Sequence, residues 1–161
     1  MQERIQEIVS AFQLEAHPEG GWFKELYRST ETTPTPQGKR NLLTSIYFLL
    51  TSDNASNFHK IESDELWYYH EGSSLTVHTL TEEGEYKALK VGNRLDLGEQ
   101  PQVLVPKGLI FGSTVTDENS YSLVSCAVAP GFDFQDFKLY TEDELMARFP
   151  QHAQIIKRLT P

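Results

Sequence analysis

Apolar residues first recur at Ile5, Ile8, Val9 and Phe12, in the steps of three and four that align side chains along one helical face. The spacing predicts an amphipathic helix over residues 2–12. The segment His17-Pro18-Glu19-Gly20-Gly21 then breaks the chain, because proline fixes one dihedral and the glycines admit positive φ. From Trp22 to Ser29 the pattern shortens to that of a strand, with Trp22 and Leu26 on one face and Phe23, Glu25 and Tyr27 on the other. Residues 32–38 hold two prolines among polar neighbours and read as an exposed loop. Residues 41–51 are the most apolar stretch, rich in β-branched and aromatic side chains, and suit a strand near the centre of a sheet.

Short strands with turn signals fill the rest. Residues 65–70 lead through Glu71-Gly72-Ser73-Ser74 into residues 75–81, a predicted hairpin, and further strands follow over 86–91, 102–105, 109–115 and 121–128. Thr141 and Glu144 form a capping-box pattern ahead of Leu145, Met146 and Phe149, so the chain closes with helical turns interrupted at Pro150. Strands at this spacing with no helices between them predict an all-β, antiparallel sandwich or barrel with short helices at its two ends.

Composition narrows the class. At 161 residues the chain fits one domain, 1–161, and 39% hydrophobic residues are enough for a core. A formal charge of −9 repels phosphate backbones and anionic lipid heads, so neither nucleic acid nor membrane is an expected partner. Cys126, the single cysteine, forms no internal disulfide, and the charged first residues lack the pattern of a signal peptide, so a cytoplasmic location is expected.

Candidate chemistry concentrates between His59 and Gly72. A histidine six positions before a glutamate lets an imidazole and a carboxyl, His59 and Glu65, converge inside a barrel. Alternation along a strand puts Trp67 and Tyr69 on the face of Glu65. Here the chain resembles the cupins. Glu65 to Gly72 matches the Glu-x6-Gly half of their first motif, and Pro106-Lys107-Gly108 is similar to the central turn of their second. Three blocks, His17 to Phe23, His59 to Gly72 and Cys126 to Phe132, are similar to the cupin 5 family. The resemblance implies a double-stranded β-helix or jelly-roll barrel, usually dimeric, with a cavity of unassigned purpose. Metal-binding cupins offer three histidines and a glutamate. Here His59 and Glu65 fill two of those positions while Ile61 and Phe111 occupy others, so no metal or other cofactor is expected.

Two functions follow as expectations, and whether the protein is an enzyme is left open. The first is a binding module for a small polar, sugar-like molecule, with Trp67, Phe111, Glu25 and Tyr27 lining the ligand. The alternative is a metal-independent sugar isomerase or epimerase, with His59 and Glu65 as acid–base groups and Tyr69 delivering a proton from the opposite side. Metal-dependent chemistry is the weakest reading. His17 reads as a turn residue, and the pattern gives His70, His78 and His152 no convergent partners. The expected partners are a small-molecule ligand and a second copy of the chain.

Overall fold

The computed structural model describes residues 1–18 and 20–161; Glu19, inside the predicted turn, lies outside the described residues. Helix α1 (Gln2–Phe12) is followed by strands β1 (Glu15–Ala16), β2 (Trp22–Arg28), β3 (Thr32–Thr35), β4 (Gly38–Asn41), β5 (Thr44–Thr51), β6 (Ala55–Lys60) and β7 (Asp64–Gly72). Then come β8 (Leu75–Leu80), β9 (Tyr86–Val91), β10 (Gln102–Val105), β11 (Ile110–Val115), β12 (Tyr121–Ala129) and β13 (Lys138–Leu139), before helices α2 (Glu142–Arg148) and α3 (Ala153–Arg158). Two antiparallel sheets form the jelly-roll barrel: one of six strands, ordered β1-β2-β5-β12-β7-β10, and one of five, ordered β13-β6-β11-β8-β9. Among the described residues no helix is long and apolar enough to cross a membrane.

Layering explains why β5 is apolar on both faces. Phe48 and Leu50 point between the sheets, into a core shared with Trp67, Val77, Phe111 and Val124. Leu49 points outward, where Ile5, Ile8 and Leu14 of the N-terminal segment cover it together with Leu123. Each such buried aliphatic side chain stabilises the fold by about 1.5–3 kcal/mol. The outer face of the five-stranded sheet is covered in the same way. Phe58, Leu80 and Ile110 meet Leu145, Phe149, Ile156 and Leu159 from the C-terminal helices. The expected capping box is present, with Thr141 Oγ1 accepting from the Glu144 amide and the Glu144 carboxylate accepting from the Thr141 amide.

Three expectations need correction. Residues 32–38 are not a loop: β3 and β4 pair as a separate hairpin, with Pro34 opposite Lys39. The segments 65–70 and 75–81 do not form a hairpin, because β7 lies between β12 and β10 whereas β8 lies between β11 and β9 in the other sheet. Gly72 makes that crossing at φ +91, and a Cβ there would sit 2.2 Å from the Tyr121 carbonyl oxygen. Finally, a bulge between Glu25 and Tyr27 breaks their shared face.

Candidate functional site

A cavity of about 660 Å³ opens between the two sheets. The sheets supply its polar groups separately. On β6, alternation sends Phe58 out to the C-terminal helices and turns His59 inward. On β7, Glu65 pairs with Val105 on one side and Val128 on the other, and its side chain faces the same space. Both groups are nearly removed from solvent, at 5% exposure for His59 and 8% for Glu65.

Burial sets their protonation. The His59 imidazole packs against Phe111 at 4.2 Å and Phe137 at 5.3 Å between ring centroids. Its Nδ1–H donates to the Asn57 carbonyl at 2.7 Å; a carbonyl can only accept, so Nε2 is the unprotonated nitrogen. Desolvation pushes the His59 pKa down to about 4, against the Asn57 carbonyl and with help from nearby His17. Desolvation pushes Glu65 the other way, up to about 8. The Trp67 indole N–H is buried and meets no acceptor in good hydrogen-bond geometry, yet it lies close enough to the Glu65 carboxyl to favour the ionised form a little. At neutral pH the cavity therefore presents an uncharged acid and an uncharged base.

The mouth is built differently. Phe23 and Glu25 of β2 pair with Phe48 and Ile46 of β5; past the bulge, Tyr27 pairs with Ser45 and Arg28 with Thr44. That one-residue shift brings Arg28 to the mouth and leaves Tyr27 52% exposed, outside the cavity lining. Arg28 grips Glu25 through Nε and Nη2, at 3.2 and 2.6 Å, and its Nη1 donates to Asn41 Oδ1 and the Phe132 carbonyl.

Of the residues singled out from sequence, the structure brings His59, Glu65 and Glu25 to one cavity. Trp67 and Phe111 stand behind its wall, in the inter-sheet core. Tyr69 also packs on that core, and its hydroxyl donates to the Gly72 carbonyl at 2.7 Å, away from the residues that line the cavity. Sequence reasoning missed Arg28, whose position depends on the bulge, and the rim of Phe132, Phe134 and Phe137. His17 is more than a turn residue. Its amide donates to the Gly21 carbonyl, while its ring lies 4.7 Å from Phe23 and lines the cavity. Its place at the head of a block shared with a cavity-bearing family was the available signal.

Two of the positions that carry ligands in metal-binding cupins hold hydrocarbon side chains here. Ile61 lines the cavity as an alkyl wall and Phe111 stacks on His59. Among the described residues no three His, Cys, Asp or Glu side chains gather closely enough to hold an ion, and catalytic zinc sites use three protein ligands.

A jelly-roll barrel with an interior cavity walled by both sheets is the architecture of the cupins. The match to the Cupin superfamily (DUF985) family model, cupin 5, runs over residues 6–140, and the chain belongs to that family. It is 34% identical over 157 residues to the uncharacterized protein YML079W of Saccharomyces cerevisiae, covering 88% of this chain and 78% of that one. Protein SO0799 from Shewanella oneidensis superposes with a TM-score of 0.90 at 42% identity, covering 97% of this chain and 96% of that one. Oxalate decarboxylase from Bacillus subtilis, at 18% identity and a TM-score of 0.58 over 89% of this chain and 36% of that one, shares the fold alone.

Proposed function

We propose that the barrel cavity binds a small uncharged molecule, with Glu65 donating a hydrogen bond to it and His59 accepting one. The observation that carries this reading is the convergence of two buried, uncharged polar side chains from facing sheets on one cavity of about 660 Å³, a volume within the range of small-molecule pockets. A charged ligand group would meet no compensating charge from either residue. A thermal-shift screen of neutral metabolites tests it, since a ligand of the native state raises the melting temperature. Hits are expected to lose their shift in His59→Ala and in Glu65→Ala; a shift that survives both substitutions removes the reading.

A second reading is favoured by the opposed protonation states. An acid that keeps its proton up to about pH 8 and a base that stays free of one down to about pH 4 form a pair ready for proton transfer. His59 Nε2 would take the proton from a carbon next to a carbonyl while Glu65 gives its proton to the carbonyl oxygen, forming an enol. Return of the proton from the imidazolium to the same carbon, with the enol proton going back to Glu65, completes an epimerisation. Where that carbon bears a hydroxyl the enol is an enediol, and protonation of the former carbonyl carbon, with loss of the other hydroxyl's proton to Glu65, completes an isomerisation. Neither step needs a metal. Such exchange, followed by NMR in heavy water, is expected to run on a plateau between about pH 4 and 8. A rate that climbs through pH 8 identifies an ionised carboxylate as the base and overturns this assignment.

We also propose that two copies pair, as the family resemblance implies. Support comes from the outer face of the six-stranded sheet, where Leu104, Leu66, Ala127, Ser45 and Tyr27 lie in one cross-strand row, with Leu104 and Tyr27 about half exposed. Light scattering at micromolar concentration should give a dimer mass, and a monomer mass defeats the pairing.

A further inference from the structure

The mouth of the cavity carries an aromatic cluster in which core packing accounts for Phe132 and Phe137 but not for Phe134. Phe132, Phe134 and Phe137 meet edge to face, with centroids 4.9, 5.9 and 6.2 Å apart, and Phe137 continues the contact to His59. Phe134 lines the cavity yet stays 58% exposed. A single exposed apolar side chain on a loop is ordinary, but this one is held in place. The Gly131 amide donates to the Asn41 carbonyl at 2.7 Å and the Phe132 amide to Thr44 Oγ1 at 2.9 Å. The Phe132 carbonyl accepts from Arg28 at 3.0 Å, and Asp136 is gripped at two oxygens by the buried Arg40, each contact 2.8 Å. Segment 131–137 is thus tied to β2, β4 and β5, and the Phe134 ring is presented from a braced support.

The walls below the rim narrow the chemistry further. Ile46, Ile61, Val128 and Phe23 give the cavity an alkyl and aryl surface, and Thr44 Oγ1 already accepts from the Phe132 amide. A sugar would find its partners mainly among the charged side chains of the lining, Glu15, Lys24, Glu25, Arg28 and Asp133, and would leave hydroxyls against these alkyl and aryl walls, whereas a flat apolar ring loses no hydrogen bonds there. Anions are no better served. Arg28 is occupied by Glu25, and Lys24 shares the mouth with Glu15 and Asp133.

We infer that the cavity takes an uncharged carbonyl compound bearing an aromatic or similarly flat apolar ring, with its carbonyl oxygen at Glu65 and its ring against the Phe132–Phe134–Phe137 rim. This rests on the reading of Glu65 and His59 as the polar handle, and adds the ring. The test is an NMR titration with three probes: 4-phenylbutan-2-one, butan-2-one and D-xylose. The phenyl ketone should bind about tenfold or more tighter than butan-2-one, as burial of a phenyl ring requires. Phe134→Ala, at an exposed position, should keep the melting temperature and weaken the phenyl ketone about threefold to tenfold while leaving butan-2-one unchanged. Glu65→Ala should weaken both ketones. Xylose or butan-2-one binding as tightly as the phenyl ketone overturns the inference and leaves the cavity reading standing. A phenyl ketone weakened by Phe134→Ala but indifferent to Glu65→Ala keeps the rim and overturns the polar handle.

Discussion

Two histidines in this barrel share burial and a pKa near 4, and differ in what their rings face. His78, on β8, lies on the face that carries Leu80 toward the C-terminal helices, and desolvation holds its pKa down to about 4 with Arg158 adding to the effect. Its Nδ1 meets the Tyr86 hydroxyl at 2.7 Å and its Nε2 the Thr114 hydroxyl at 2.9 Å. Both nitrogens are committed within the fold. His59 commits Nδ1 to a backbone carbonyl, and its ring lines a cavity opposite a protonated carboxyl. A depressed pKa therefore marks burial in both places, and only the cavity separates a candidate reactive group from a structural one.

Substituting each in turn separates the two sharply. His59→Ala is expected to slow ligand proton exchange by about a hundredfold or more, with a modest loss of stability because the vacated volume joins an existing cavity. His78→Ala should leave exchange and ligand affinity unchanged. It should instead destabilise the protein by about 2–4 kcal/mol, since it deletes a buried ring and strands the Tyr86 and Thr114 hydroxyls. Denaturant unfolding and the exchange assay together read both effects. Equal losses of stability with equal losses of exchange would erase the distinction.

Stability against pH sharpens the contrast between Glu65 and the buried histidines. With a folded pKa near 8 against an ordinary 4.5, Glu65 binds its proton more tightly in the folded state, so its contribution is full below 4.5 and is lost as pH rises toward 8. His17, His59 and His78 are lowered from 6.5 to about 4, so the unfolded chain binds the extra protons and stability rises across that window. The opposing trends overlap to about pH 7.5, since each unfolded histidine is still half protonated at 6.5, so the Glu65 contribution is isolated by comparing the unsubstituted protein with Glu65→Gln. The slope of about 1.4 kcal/mol per pH unit amounts to about 2 kcal/mol from pH 6.5 to 8. Glu65→Gln should remove that fall in urea midpoints measured over the interval. An unchanged decline would mean that the carboxyl is already ionised at pH 6.5.

The sequence carries the barrel more legibly than it carries the site. Strand content, the terminal helices and the Thr141 cap follow from local pattern, because alternation and capping are properties of a few neighbouring residues. Glu65 was legible through the Glu-x6-Gly motif, and His59 through its place six positions before that glutamate. What escaped depends on partners distant in sequence. Gly72-Ser73-Ser74 turns the chain equally well into a hairpin or across to another sheet, and only the competing pairing of β7 with β10 and β12 decides. The β2 bulge, which exchanges Tyr27 for Arg28 at the mouth, arises from register with β5 and leaves no mark in the alternation of Phe23, Glu25 and Tyr27. Among the histidines judged partnerless, His78 has its two hydroxyls, His70 has Ser125 and His152 has the Gly84 carbonyl.

Tyr69 supplies the smallest effect and a direct check on where the cavity ends. It shares the inward face of β7 with Glu65 and Trp67, which is why alternation nominates it as a proton donor. Its hydroxyl instead donates to the Gly72 carbonyl, and it lies near Glu99, Glu71 and Arg94, none of which lines the cavity. Burial, with the nearby negative charge of Glu99 and Glu71 adding to it, raises its pKa, which makes it a poorer acid than an ordinary tyrosine. Tyr69→Phe removes one partly exposed hydrogen bond and should cost about 1 kcal/mol or less in thermal unfolding. Ligand affinity and proton exchange should match the unsubstituted protein. A hundredfold fall in exchange would require the ring to reach the reacting carbon, and the cavity would then have to extend along β7 past Trp67, through a core in which Trp67 and Phe111 are nearly fully buried.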